Sequence, residues 1–170
     1  MNRAVFLDRD GVINHNEVRE GRPHGPQTLE QFVILPGVRE AIEAFRAAGF
    51  LVIVATNQPN IPRDVVETMH AILRETLKPD DIKVCTHVDA DNCACRKPKP
   101  GLLLDAARER NIALAQSWMI GDRWRDIEAG RAAGCRTVFI DYGYEHEPRP
   151  RAPDVIVGSL LEAVPFVVKA

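Results

Sequence analysis

The sequence predicts an α/β fold, a parallel β-sheet with helices on both faces. Three observations predict it. Short apolar runs alternate with segments of helical spacing along the chain, as strands joined by crossover helices do. FLVIVAT (50–56) is a continuous apolar run, which a strand buried on both faces requires. Polar residues with chemical potential recur where such runs end, and open α/β sheets bind ligands outside the carboxyl ends of their strands.

AVFL (4–7) is the first expected strand. PGVREAIEAFRAAG (36–49) reads as a helix, with proline near its start and Gly49 placed to end it. FLVIVAT follows as a strand, and RDVVETMHAILRETL (63–77) returns to helical spacing. IKVCTHV (82–88) is a strand, GLLLDAARERN (101–111) a helix, SWMIGD (117–122) a strand, and RDIEAGRAAG (125–134) a helix closed by Gly134. CRTVFI (135–140) and DVIV (154–157) add two strands, and SLLEAVPFVV (159–168) packs afterwards. Residues 11–35 and 85–100 fit no element, and EHEPRPRAPD (145–154) reads as a mobile loop.

The chain has 170 residues, 45% of them hydrophobic and 27% charged, which suits one well-packed core and leaves too little for two. A single domain over 1–170 is expected. A net charge of -2 argues against nonspecific nucleic-acid or acidic-membrane binding. No apolar run approaches the roughly 20 residues of a membrane span, and the start MNRAVFLDRD lacks the shape of a signal peptide. A cytoplasmic protein is expected.

Asp8 ends the first strand, Asp10 lies two residues on, and Asp122 ends SWMIGD with Asp126 one helical turn later. If the two strands are neighbours, these carboxylates converge and need a cation, for which a hard ion such as Mg²⁺ is best suited. Taken singly, each is also a common turn or cap residue. Thr56, Asn57 and Gln58 offer a hydroxyl and two amides at another strand end, and Arg96 and Lys97 precede a helix. Beside a metal, such groups form a receptor for phosphate. Cys85, His87, Cys93 and Cys95 fall within eleven residues, a set that matches structural Zn²⁺ sites, although the spacing is tighter than usual and a reduced thiol cluster is the alternative.

FLDRDGVIN (6–14), ATNQ (55–58), CRKPKPG (95–101) and GDRWRD (121–126) occur in this order. Together they resemble the four motifs of haloacid-dehalogenase-type (HAD) phosphatases. The resemblance is to the small branch of heptose-bisphosphate and histidinol phosphatases. It implies a Rossmann-like HAD core with no large cap domain, Mg²⁺, and a phosphoaspartyl intermediate. By position it makes Asp8 the nucleophile and Asp10 the general acid and base. It implies Mg²⁺ held by Asp8, the Asp10 backbone carbonyl and Asp122, with Thr56 and Lys97 on the phosphoryl oxygens. Asn57, Arg96 and Arg123 become candidate substrate contacts, and Asp126 an orienting residue. The branch carries a similar zinc loop before its CRKP motif, which assigns structural Zn²⁺ to Cys85, His87, Cys93 and Cys95.

The segment HNEVREGRPHGPQTLEQF (15–32) is unlike the loop of the heptose enzymes. A small-molecule sugar phosphate is therefore the expected substrate, with heptose 1,7-bisphosphate foremost. Arg19, Arg22 and Arg96 are candidates for a second phosphate. Histidinol phosphate is the alternative within the chemistry, transfer to an acceptor other than water a further one, and a non-catalytic zinc-containing binding protein the alternative outside it. Neither nucleic acid nor membrane is expected as a partner, and a monomer is expected.

Overall fold

The computed structural model describes residues 1–169. Its main sheet has six strands: β1 (Arg3–Leu7), β4 (Phe50–Asn57), β5 (Asp81–Cys85), β6 (Trp118–Gly121), β7 (Arg136–Ile140) and β8 (Val155–Val157). A separate hairpin pairs β2 (Glu17–Arg19) with β3 (Arg22–His24). The helices are α1 (Val38–Ala47), α2 (Arg63–Thr76), α3 (Gly101–Arg110), α4 (Trp124–Ala133) and α5 (Leu160–Val168).

The six strands run parallel in the order β5-β4-β1-β6-β7-β8. The chain builds outward from β1 to one side, then crosses back to add β6 on the other. That reversal puts a crevice between β1 and β6, where such sheets place ligands. The register pairs Leu7 with Ile120, and the Asp8 N–H donates to the Ile120 carbonyl at 3.0 Å.

Alternate residues of each inner strand feed opposite cores, as a period of two dictates. Val5, Leu7, Val52, Val54 and Ile120 pack with Ile42, Phe45, Leu73 and Val167 from α1, α2 and α5. Ala4, Phe6, Ile53, Ala55 and Met119 pack on the other face with Leu102, Leu103 and Ala106 of α3. Both faces are thus covered, which is why FLVIVAT carries no polar alternation. Ser159 caps α5 by accepting from the Glu162 N–H at 3.2 Å.

Three expectations change. The strand predicted over 82–88 ends at Cys85, the last residue with a partner on β4, because the chain turns there to carry Cys85 and His87 into one cluster. The segment 11–35 holds the β2–β3 hairpin and a short 3₁₀ turn at Leu29–Gln31. Its Glu20 and Gly21 both have positive φ, 50° and 70°, the requirement of a tight primed turn. Glu-Gly is a poor signal for that turn, and the strands carry no apolar alternation to betray them. Residues 145–151 are irregular but tied down. The His146 N–H donates to the Gly21 carbonyl at 3.0 Å, and Arg131 holds the Arg151 carbonyl at 2.8 Å.

Candidate active site

β1 delivers Asp8, β6 delivers Asp122, and the first turn of α4 delivers Asp126. All three are buried, and one oxygen of each lies within 4.8 Å of the others. Lys97 reaches them from the loop before α3 and is itself buried. Its ammonium donates to Asp8 Oδ1 at 2.8 Å, Asp126 Oδ1 at 2.6 Å and the Ala55 carbonyl at 2.7 Å. One ammonium thus serves two of the three clustered carboxylates. Burial, reinforced by Asp126, lifts the Asp8 carboxyl to about 7 although Lys97 pulls the other way. Burial, then Asp8 and Asp126, raises Asp122 well above the usual carboxylate range. Burial alone would lower Lys97, but Asp126 and Asp8 outweigh it and hold the ammonium above the ordinary lysine value.

This excess of negative charge could be offset by a hard divalent cation, for which the three carboxylates offer oxygen ligands. Asp122 Oδ1 is buried with no hydrogen-bond partner, as a free metal-facing oxygen would be. Asp126 differs, since Lys97 takes its Oδ1 and the Arg123 N–H takes its Oδ2 at 3.1 Å. It binds the lysine and caps its helix.

Asp10 is held separately. Arg9 Nε donates to its Oδ1 at 2.9 Å, Asn14 Nδ2 to the same oxygen at 3.0 Å, and Gln58 Nε2 to Oδ2 at 2.8 Å. Arg9 is fully buried, with its guanidinium 3.4 Å from His70 Nε2. Burial first, then Arg9, pulls His70 down to about 4, so the imidazole stays neutral beside the cation. Thr56 is buried and its hydroxyl accepts from Gln58 at 2.9 Å. Asn57 and Lys97 exchange two bonds of 3.1 Å, side chain to backbone, which tie the end of β4 to the lysine loop.

Asp8, Asp10, Asn57, Lys97, Arg123 and Arg125 line one small cleft. Arg123 is also clamped by Glu147 through bonds of 2.7 and 3.0 Å. Arg96 turns instead onto the cysteine loop, donating to Asp89 Oδ1 at 2.7 Å and the His87 carbonyl at 3.0 Å. Arg125 grips the same Asp89 at 2.9 Å while bordering the cleft. Arg19 and Arg22 lie on the hairpin, and neither borders the cleft.

Cys85, His87, Cys93 and Cys95 converge beside it. Their sulfurs are 3.1 to 3.7 Å apart, and His87 Nδ1 is 3.5 Å from two of them. A tetrahedral zinc with bonds of about 2.3 Å has sulfur–sulfur edges of roughly 3.8 Å, somewhat wider than these spacings, so the four donors could hold that ion after a small outward shift. Cys135 is buried in the α3 face core.

A HAD-hydrolase-like family model matches residues 94–163. D-glycero-beta-D-manno-heptose-1,7-bisphosphate 7-phosphatase of Pseudomonas aeruginosa is 38% identical over 154 residues, covering 84% of each chain. The chain belongs to the HAD-type phosphatases. The Helicobacter pylori enzyme of the same name is 38% identical over 140 residues, or 76% of this chain and 78% of that one. The crystal structure of D,D-heptose 1.7-bisphosphate phosphatase from B. bronchiseptica, complexed with magnesium and phosphate, superposes with a TM-score of 0.80. It is 27% identical and covers 98% of both chains.

As a HAD-type phosphatase the chain is a phosphoric monoester hydrolase, and its six-stranded parallel sheet is the Rossmann-like core of that family. No helix among the described residues is long and apolar enough to cross a membrane. Several residues at this phosphatase cleft left no mark in the sequence. Arg125 lies inside GDRWRD, but its residue type there does not by itself say that it, as well as Arg123, borders the cleft. Asn16 and Tyr144 reach Asp122 from irregular segments far away in the chain. Gly25 brings the hairpin's exit against Asp10, where a Cβ would come within 2.3 Å of Oδ2. Gly25→Ala must displace either the loop or the carboxylate. We expect phosphatase activity to fall about 10²-fold, the size of effect a 1 Å misplacement can have, with the melting temperature changed by only a few degrees.

Proposed function

We propose that the chain is a Mg²⁺-dependent phosphatase that removes the 7-phosphate of D-glycero-D-manno-heptose 1,7-bisphosphate. The observation that carries this reading is Asp8, set between Lys97 and Asp122 at the β1–β6 crevice of a chain 38% identical to enzymes of that name. Asp8 attacks phosphorus in line, forming an aspartyl phosphate as the bond to the sugar oxygen breaks. Asp10 gives its proton to that leaving oxygen. It then takes a proton from the water that attacks the aspartyl phosphate, releasing inorganic phosphate and restoring Asp8. Arg9, Asn14 and Gln58 aim Asp10 for both transfers. Lys97 fixes Asp8 and pulls its carboxyl back toward the ionised form, and Thr56 completes the phosphoryl pocket with it. Asp8, the Asp10 carbonyl and Asp122 would hold Mg²⁺, which screens the anionic nucleophile from the anionic phosphate.

Asn57, Arg123 and Arg125 border the cleft and would meet the sugar and its other phosphate. Arg96 acts with them by pinning Asp89, the anchor it shares with Arg125. Cys85, His87, Cys93 and Cys95 would hold a structural Zn²⁺, since four protein ligands leave no position open for chemistry. The purified protein should carry about one zinc per chain by elemental analysis. Stripping it with a strong chelator should lower the melting temperature by at least about 5 °C, as expected when 2 kcal/mol or more is lost from a chain this size. A cytoplasmic monomer completes the proposal.

Phosphate release with Mg²⁺ should be measured on heptose 1,7-bisphosphate, heptose 1-phosphate, histidinol phosphate, fructose 1,6-bisphosphate and a nucleotide. A strong preference for the heptose bisphosphate carries the proposal. Preference for histidinol phosphate, or activity spread evenly over the panel, would keep the chemistry and reject the substrate.

A further inference from the structure

We propose that Tyr144 and Asn16 make Asp122 a one-oxygen ligand and thereby favour Mg²⁺ over Ca²⁺ at this site. This rests on the reading of Asp122 as a metal ligand. The Tyr144 hydroxyl donates to Asp122 Oδ2 at 2.7 Å, and Asn16 Nδ2 donates to the same oxygen at 3.1 Å. Oδ1 is buried and receives neither. Gly11 packs against the same oxygen, since a Cβ built there would lie 2.1 Å from Oδ2. One oxygen of the carboxylate is therefore enclosed by protein on several sides, and the other is left for an ion.

The two ions use carboxylates differently. Mg²⁺ demands near-octahedral geometry at about 2.0–2.1 Å, whereas Ca²⁺ takes 6–8 oxygens at about 2.3–2.6 Å and often grips both oxygens of one carboxylate. A carboxylate with Oδ2 already taken supplies what the smaller ion needs and withholds the second contact from the larger. The segment that carries Tyr144 is itself anchored here. The Tyr142 hydroxyl donates to the Gly11 carbonyl at 2.8 Å, and the two tyrosine rings lie 5.7 Å apart. Tyr144 and Asn16 are positioning residues in this account, acting on the ion through Asp122.

The test is calorimetric titration of the zinc-loaded protein with Mg²⁺ and, separately, with Ca²⁺, for the parent, Tyr144→Phe, Asn16→Ala and Asp122→Asn. Tyr144→Phe should weaken Mg²⁺ binding about 10-fold, the low end for loss of a partner of a ligating carboxylate. Ca²⁺ should lose much less, so that the preference for Mg²⁺ narrows. Asn16→Ala should move the ratio the same way. Equal factors for both ions, or no change in either variant, would overturn the proposal while Asp122→Asn still abolishes Mg²⁺ binding. If Asp122→Asn binds Mg²⁺ as the parent does, the assignment of Asp122 as a ligand is itself wrong.

Discussion

Asp8→Asn should lose phosphate release by at least about 10⁴-fold and yet fold at least as well as the parent. The loss follows from removing the attacking oxygen, where the damage of a missing nucleophile reaches about 10⁶-fold in well-studied enzymes. The stability expectation comes from the charges. Asp8, Asp122 and Asp126 are buried around a single lysine ammonium, and buried like charges oppose folding. An amide in place of one carboxylate can still accept from Lys97 while removing a negative charge. Unfolding by denaturant in EDTA should therefore show a gain of about 1 kcal/mol. Activity and stability moving in opposite directions would mark Asp8 as a group kept for chemistry at a cost to the fold. An inactive variant that is also strongly destabilised would instead make Asp8 a structural partner of Lys97. Retained activity would reject the mechanism.

Lys97→Met should have the largest effect on the fold. The ammonium contacts two carboxylates and a carbonyl in a buried setting. Removing one partner of a buried ion pair costs about 3–5 kcal/mol because the other charge is left uncompensated, and here two carboxylates are left so. The destabilisation should be greatest in EDTA. Mg²⁺ should reduce it by binding the folded state alone. Phosphate release should fall at least about 10²-fold, the cost of losing one preorganised charge contact to the reacting group. A Lys97→Met protein with the parent's unfolding midpoint in EDTA would show that something other than this lysine compensates the acids.

Three other changes test the surroundings: Gly25→Ala for the loop on Asp10, zinc removal for the cysteine loop, and Tyr144→Phe for the face of Asp122. Together they separate the chemical centre from the structures that aim it.

Much of this was legible from local patterns. Periodicity reports which residues are buried, and so it located the six sheet strands and the helices between them. Boundaries shifted by a residue or two where capping decided them, as at Asn111, whose positive φ of 51° ends α3. Asp8, Thr56, Lys97 and Asp122 stood out because each lies at the end of an apolar run or inside a dense motif. The hairpin at 17–24 was not legible, because its strands are almost wholly exposed and its turn uses Glu-Gly.

By itself the sequence determined the parallel α/β core, the acids at strand ends, the lysine ahead of a helix, and the Cys₃His set, because all of these are written in local spacing and residue type. Only the tertiary structure decided how they meet. Strand order put β6 beside β1, which brought Asp122 to Asp8. Contacts between loops then gave Asp122 its tyrosine, gave Asp10 its glutamine, and put Arg125 rather than Arg96 on the cleft wall. Such contacts join polar side chains across long separations in the chain. Burial imposes no period on them, so their partners are chosen by the packing of the whole molecule.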